Sequence, residues 1–237
     1  MKHTLFSLAT LGLLLCALSS CKRTNIYETV KAVAIAEVDT TGFDSHTVQT
    51  NAFTAVEADC FADIAYHQTA AGSPPRVVLK APSEVLDHIS VMTDDNVLSL
   101  RVDRRYRMPE RAVVVVSVYA PFVSSFSLRG GKCLRLGRMK ISSPLTLSLD
   151  GVGALTSEVL EAHEINVSLN GAGSIDLQGI STQRLSAELD GAGSINLQGR
   201  CTDAYLELNG AGHIDVTRLQ CAHKAQRAIN GVGTISE

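Results

Sequence analysis

The chain has no tryptophan, and aromatic residues make up 5% of its 237 residues, so platforms on which bases or sugars stack are scarce. Beyond Leu18 no long apolar run remains, which excludes an internal transmembrane helix of about 20 residues. Neither a CxxC nor an HxxxH spacing occurs, so no metal site is expected. The GxSxG phrase of a nucleophile elbow is missing too, and the chain is not read as an enzyme or as a cofactor carrier. Bulk positive charge is lacking: 21 Lys and Arg stand against 24 Asp and Glu, which argues against nucleic acid as a partner.

What the chain has is repetition. Five phrases recur: Asp150-Gly151-Val152-Gly153-Ala154-Leu155, Asn170-Gly171-Ala172-Gly173-Ser174-Ile175, Asp190-Gly191-Ala192-Gly193-Ser194-Ile195, Asn209-Gly210-Ala211-Gly212-His213-Ile214 and Asn230-Gly231-Val232-Gly233-Thr234-Ile235. Their starts lie 20, 20, 19 and 21 residues apart, and a fixed period in this range signals stacked rungs rather than a closed core. Phe126 to Leu134 sits 21 residues before the first phrase and reads as a degenerate rung, with Lys132 in place of the second glycine. Clear repeats are expected from about 126 to 237.

Side-chain parity locates the core. Ile165, Val167, Leu169, Gly171, Gly173, Ile175 and Leu177 share one phase, and Leu185 to Leu197 repeat it; alternate residues of a strand face the same side. The paired glycines fall on that inward phase, so a sharp corner without room for a side chain, or one needing positive φ, is expected at each phrase. Structural roles are therefore assigned to Gly151, Gly153, Gly171, Gly173, Gly191, Gly193, Gly210, Gly212, Gly231 and Gly233.

Two polar ladders follow from stacking. One runs Asp150, Asn170, Asp190, Asn209, Asn230 and the other Thr156, Asp176, Asn196, Asp215, Ser236; neither places two carboxylates side by side. Asp beside Asn forms hydrogen bonds along a stack, whereas adjacent Asp residues would repel. A structural reading is favoured over acid/base chemistry or calcium binding, which need carboxylates close together. His213 reads as an exposed member of the Ser174 and Ser194 position, and Asp59, Asp63 and His67 as a candidate polar cluster.

Before the repeats, Phe53 to Tyr66, Arg76 to Ala81, Ile89 to Met92, Val97 to Val102 and Val113 to Val118 read as short strands, separated by turn residues such as Gly72-Ser73-Pro74-Pro75. No long helical period is found.

The first twenty residues read as an address. Lys2 and His3 precede an apolar stretch from Leu5 to Leu18, and Leu18-Ser19-Ser20-Cys21 closes it. That ending resembles a bacterial lipobox, which implies lipidation of Cys21 and attachment to a membrane through acyl chains. An ordinary secretory signal with an incidental cysteine is the alternative, and it also places the chain outside the cytoplasm. Residues 21–48 read as a tether, and 49–237 as one domain.

Cys60, Cys133, Cys201 and Cys221 remain after these assignments. Cys201 and Cys221 are one period apart, and neighbouring rungs lie within disulfide range. Counted from their phrases they are out of register by one residue, so a bridge and two free thiols both stay open.

The apparent lipobox, the lead Phe53-Thr54-Ala55-Val56 to Ile64-Ala65-Tyr66, and the repeated NGAGSI phrases together resemble the family called putative auto-transporter adhesin, head GIN domain, found chiefly in Bacteroidetes. The resemblance covers roughly Gln49 to Glu237. It implies an all-β, right-handed parallel β-helix and an outer-membrane lipoprotein facing the periplasm or the cell surface. An adhesion module that binds a glycan or protein is its functional implication. A self-associating scaffold is the second expectation and a polysaccharide-acting enzyme a distant third. The basic stretch Arg101 to Lys140 is either a binding face for anionic partners or a partner for the acidic remainder of the fold.

Overall fold

The computed structural model describes residues 38–237 apart from Arg104, Glu110, Arg111 and Gly131. The signal segment, Cys21 and residues 22–37 of the expected tether lie outside the described residues. The elements, in chain order, are β1 (Asp44–Gln49), β2 (Ala55–Asp59), β3 (Ala62–Gln68), β4 (Arg76–Ala81), α1 (Ser83–Leu86), β5 (Ile89–Asp94), β6 (Val97–Val102), β7 (Val114–Ala120), β8 (Ser125–Leu128) and β9 (Cys133–Lys140). They continue as β10 (Leu145–Leu149), β11 (Val152–Glu161), β12 (Glu164–Leu169), β13 (Ala172–Leu189), β14 (Ala192–Leu208), β15 (Ala211–Cys221), β16 (Gln226–Ile229) and β17 (Val232–Ser236). Asp44–Gln49, at the end of the segment read as a tether, is a strand paired along its length with β4.

From β8 onward the chain winds as a β-solenoid of about six turns with rungs of roughly 20 residues. Each rung adds one strand to each of two parallel stacks. One stack runs β6, β2, β8, β10, β12, then the second halves of β13 and β14, and ends at β16. The other runs β7, β3, β9, β11, then the first halves of β13 and β14, followed by β15 and β17.

The lead strands do not stack in chain order. The rung of β2 and β3 lies between that of β6 and β7 and that of β8 and β9, so the chain enters one rung inside the stack. It then leaves to build the end and returns. Antiparallel strands finish that end, with β5 beside β6, β4 beside β7 and β1 beside β4.

Parity puts the expected residues inside. Leu155, Ile175, Ile195 and Ile214 form one fully buried ladder, and Leu149, Leu169, Leu189 and Leu208 another. Burying each such side chain stabilises by about 1.5–3 kcal/mol, and repetition multiplies this with every rung. The largest buried side chain, Tyr66, lies in the lead half, where its hydroxyl donates to the Ala120 carbonyl at 2.9 Å.

The glycine phrases turn the chain, but not through positive φ. A Cβ on Gly171 would lie 1.9 Å from the carbonyl oxygen of Gly151, and one on Gly191 would lie 1.9 Å from that of Gly171. The second glycines behave alike: a Cβ on Gly212 would meet the Gly193 oxygen at 2.1 Å. Each glycine thus leaves space for the carbonyl of the rung below. Within the repeats the positive-φ glycines are Gly179 and Gly199, at φ +61° and +137°, in the opposite corner that the phrases did not mark.

That second corner also absorbs the uneven spacing. β13 and β14 pair 20 residues apart up to Leu177 and 19 apart from Ile180, which faces Gly199. β14 and β15 regain the residue: Asn196 faces Asp215, but Gln198 faces Arg218. The extra residue beside Thr217 is held in a tight turn, where the Thr217 backbone N–H and hydroxyl both donate to Asp215 Oδ1 at 2.9 and 2.7 Å. Cys201 and Cys221 are consequently direct partners, contrary to the one-residue offset counted from the sequence.

Candidate functional site

The outward positions of the rungs form continuous ladders, and the Asp/Asn ladder is hydrogen-bonded as its composition requires. Asn170 donates to Asp150 at 2.8 Å, Asn209 to Asp190 at 2.8 Å and Asn230 to Asn209 at 2.9 Å. In each of these bonds the Asn amide N–H donates to the side chain of the rung before it, and Asn170 keeps the carboxylates of Asp150 and Asp190 two rungs apart. The second expected ladder has the expected register, Thr156, Asp176, Asn196, Asp215 and Ser236.

Charge alternates along a third line that the phrases do not include. Glu164, Arg184 and Asp203 are successive partners. Arg184 reaches Glu164 at 2.9 Å, and His223 contacts Asp203 at 2.8 Å. Hydrogen bonds from Asn166 and Arg184 hold the Glu164 carboxyl below its ordinary range.

A fourth line, Ser127, Ser148, Ser168, Glu188 and Glu207, carries hydroxyls at one end and carboxylates at the other. Glu188 and Glu207 are direct neighbours. Partial burial, then the negative charges of Asp190 and Glu207, push the Glu188 carboxyl above its ordinary value. The two named ladders avoid adjacent carboxylates; this one does not. The arrangement was not recognised in the sequence because the two residues lie outside the repeated phrase, although their 19-residue spacing matches that rung.

Part of the basic stretch is answered from within the fold. Asp63, 3% exposed, takes an ion pair from Arg135 and another from Lys132 at 3.3 Å. Arg129 lies 3.5 Å from Glu57, and Lys140 lies 2.7 Å from Glu161. Of the two readings of Arg101 to Lys140, intramolecular attraction therefore accounts for these four cations.

The remaining candidates separate. Asp59, Asp63 and His67 do not converge: Asp63 turns to the two cations, while His67 stacks on Tyr119 with centroids 4.8 Å apart, and Arg76 lies 4.2 Å above the same Tyr119 ring. His213 is half-buried rather than exposed, its Nδ1 2.7 Å from the Thr234 hydroxyl. Ser174 and Ser194, at the same ladder position, are buried. A shallow depression of about 240 Å³, lined by Asp87, His88, Arg101 and Asp103 among others, lies at the closed end. There His88 stacks on Tyr106 at 3.7 Å. Among the described residues no group of three or more His, Cys, Asp or Glu side chains is placed to hold a metal ion. None of the described helices is long and apolar enough to cross a membrane.

Stacked parallel rungs with polar ladders outside and aliphatic ladders inside define a β-solenoid repeat protein. The chain belongs to the family described as "Putative auto-transporter adhesin, head GIN domain", whose model matches residues 52–236. No curated protein matches it. Among solved structures it is similar to a putative adhesin from Bacteroides fragilis, with 19% identity and a TM-score of 0.63 over 82% of this chain and 96% of that one. A putative lipid binding protein from Parabacteroides distasonis has 12% identity and a TM-score of 0.62 over the same shares. A putative adhesin from the same species has 14% identity and a TM-score of 0.57, again over 82% and 96%. At these identities the likeness concerns the fold. The adhesin family itself points to the cell envelope or the cell surface.

Proposed function

We infer that this chain is a non-catalytic adhesion module, held on the outer membrane by lipid at Cys21, whose broad sheet faces bind a glycan or an extended protein. The observation that carries the reading is the set of outward ladders, in which hydroxyl, amide, carboxylate and guanidinium groups recur once per rung, about 4.8 Å apart. A surface that repeats along one axis matches a ligand that also repeats. Because many of the charges are paired within the fold, hydrogen bonding to polar ladders supplies the recognition. The division that goes with this reading is a signal at 1–20, a tether from Cys21 and a head domain that reaches Glu237.

A scaffold that self-associates is the second reading. One observation favours it: the outermost strands β16 and β17 expose Ile229 and Val232, the latter 82% accessible.

Protease shaving of intact cells, with a periplasmic protein as control, tests the first reading. Digestion of the solenoid, together with adherence to glycan-coated or protein-coated surfaces that cells lacking the chain do not show, is expected. Protection until the outer membrane is opened would overturn adhesion and leave a periplasmic role.

A further inference from the structure

We propose that Cys201 and Cys221 are a rung-to-rung disulfide site, oxidised in the exported protein and clamping the last rungs of the solenoid. The two residues are direct partners in the parallel pair of β14 and β15, and their sulfur atoms lie 3.1 Å apart. Neighbouring strands about 4.8 Å apart fall within the Cα separation of known disulfides. Shortening the sulfur separation to the bond length of about 2.05 Å needs a movement of roughly 1 Å. Beyond Cys221 the backbone N–H groups of Ala222 and His223 still donate to the Cys201 and Thr202 carbonyls at 3.0 Å, so the two backbones stay in register and rotation of the two side chains supplies that movement.

The other two cysteines differ in their neighbours: Cys133 faces Asp63 and Ala154 on the strands beside it, and Cys60 lies in the turn between β2 and β3. Burial pushes the Cys60 and Cys201 thiols up to about 12 and that of Cys133 up to about 11, so it is the pairing with Cys221, and not thiol acidity, that sets Cys201 apart.

Oxidation needs a partner, and a small-molecule or protein disulfide of an oxidising envelope is the class that serves. Cys221, the more exposed of the two, attacks that disulfide as thiolate. One thiolate leaves, and a mixed disulfide remains on Cys221. Cys201 then loses its proton to solvent and displaces the second thiolate by attacking the Cys221 sulfur. Two protein thiols are oxidised to one disulfide, while the external disulfide is reduced to two thiols.

The bridge closes a loop of one rung at the place where the chain leaves β15 for β16 and β17. Those strands bury little and pair only on one side among the described residues. They are the natural site of fraying. Fixing β15 to β14 removes the motion that would release them.

Oxidation in the cell rests on the envelope location inferred above, so the test separates geometry from location. Trypsin cuts after Arg200, Arg218 and Lys224, placing Cys201 in peptide 201–218 and Cys221 in peptide 219–224; only a disulfide joins them. Folded full-length chain made under reducing conditions is incubated with glutathione and glutathione disulfide, quenched with acid, denatured and alkylated with N-ethylmaleimide, and digested. The expected result is the joined peptide pair, with Cys60 and Cys133 alkylated and no pair in C201S or C221S. Two alkylated peptides, or glutathione retained on Cys221, would overturn the site.

The same digest is made on cells quenched with acid before alkylation. A pair that forms in the purified chain but is reduced in cells overturns the envelope location and leaves the geometry standing. Oxidised and reduced chains are finally compared for native tryptic cleavage at Lys224 and Arg227, which oxidation should slow by about tenfold; equal rates would overturn the clamp.

Discussion

At one end the solenoid finishes in antiparallel strands, β5 beside β6, β4 beside β7 and β1 beside β4, whereas at the other it finishes in β16 and β17, short parallel strands that are mostly exposed. The closed end belongs to the lead half, which has no repeated phrase, stacks its rungs out of chain order and fixes charges from distant segments on Asp63. The other belongs to the repeat half, where each rung copies the last. Repetition makes a rung inexpensive to specify, since one pattern supplies core, corner and ladder. It does not by itself make an end, because a copied rung always presents the edge that the next copy would use.

Variants that attack each half sharpen this contrast, and the largest effect is expected in the repeats. Gly191→Ala places a Cβ 1.9 Å from the Gly171 oxygen and 2.8 Å from its carbonyl carbon. Neither atom belongs to a movable side chain, so a loss of about 3 kcal/mol in urea unfolding is expected. Gly137→Ala in β9, whose Cβ would come no nearer than 3.8 Å to the Tyr66 oxygen, should stay within about 0.5 kcal/mol. Equal effects at the two sites would break the assignment of backbone stacking as the reason for glycine.

Next in size is the lead half. Asp63→Asn leaves the half-buried cations Lys132 and Arg135 without a carboxylate between them, and a loss of about 2 kcal/mol is expected. Replacing Lys132 by Met in the same background should return part of it, read from thermal unfolding of the single and double variants. A single variant as stable as the parent would mean that the ion cluster does not hold the lead rungs to β9.

Asn209→Asp tests the ladder itself. Asn209 now donates to Asp190 at 2.8 Å; a carboxylate there would face another, at a cost of about 1 kcal/mol at neutral pH. The loss should shrink once the pair of acids holds a proton, so unfolding is compared near neutrality and near pH 3.5. A pH-independent loss would point to a packing effect.

The smallest effect is expected at Glu188. Its folded carboxyl titrates above the ordinary value of 4.5, so the folded state binds the proton more tightly. Stability therefore falls as pH rises from that ordinary value through the folded one. Glu188→Gln should stabilise the chain by a few tenths of a kcal/mol at neutral pH and make no difference in acid. Destabilisation at neutral pH would mean that the carboxylate makes a favourable contact on that face.

The repeat half was legible because its physics is local and periodic. Ile175 and Leu177 declare the inward phase, Gly171 and Gly173 the crowded corner, and Asp150 with Asn170 the ladder. The reason for glycine was only partly legible: a corner without room for a side chain, or one needing positive φ, was expected, and what takes the room is the carbonyl of the rung below. Glu188 facing Glu207, and Arg184 between Glu164 and Asp203, lie outside the repeated phrase and passed unnoticed. Asp63 and Arg135 are 72 residues apart, with nothing periodic to join them. Cys201 and Cys221 were misaligned by counting to the phrase that follows each, since one extra residue lies between Cys221 and Gln226, where the pairing passes from 20 to 21 residues apart.

The sequence by itself determined an all-β solenoid, its rung length, its aliphatic interior and its amide-carboxylate ladder, because each follows from alternation within a strand and identity between neighbouring copies. Only the tertiary structure decided that β6 and β7 lie outside β2 and β3, that antiparallel strands finish that end, that four cations of the basic stretch are answered by Glu57, Asp63 and Glu161, and that the two cysteines meet. These depend on strand order and on bulges at corners. A pattern that fixes which face of a strand is buried does not fix the neighbour across which it pairs.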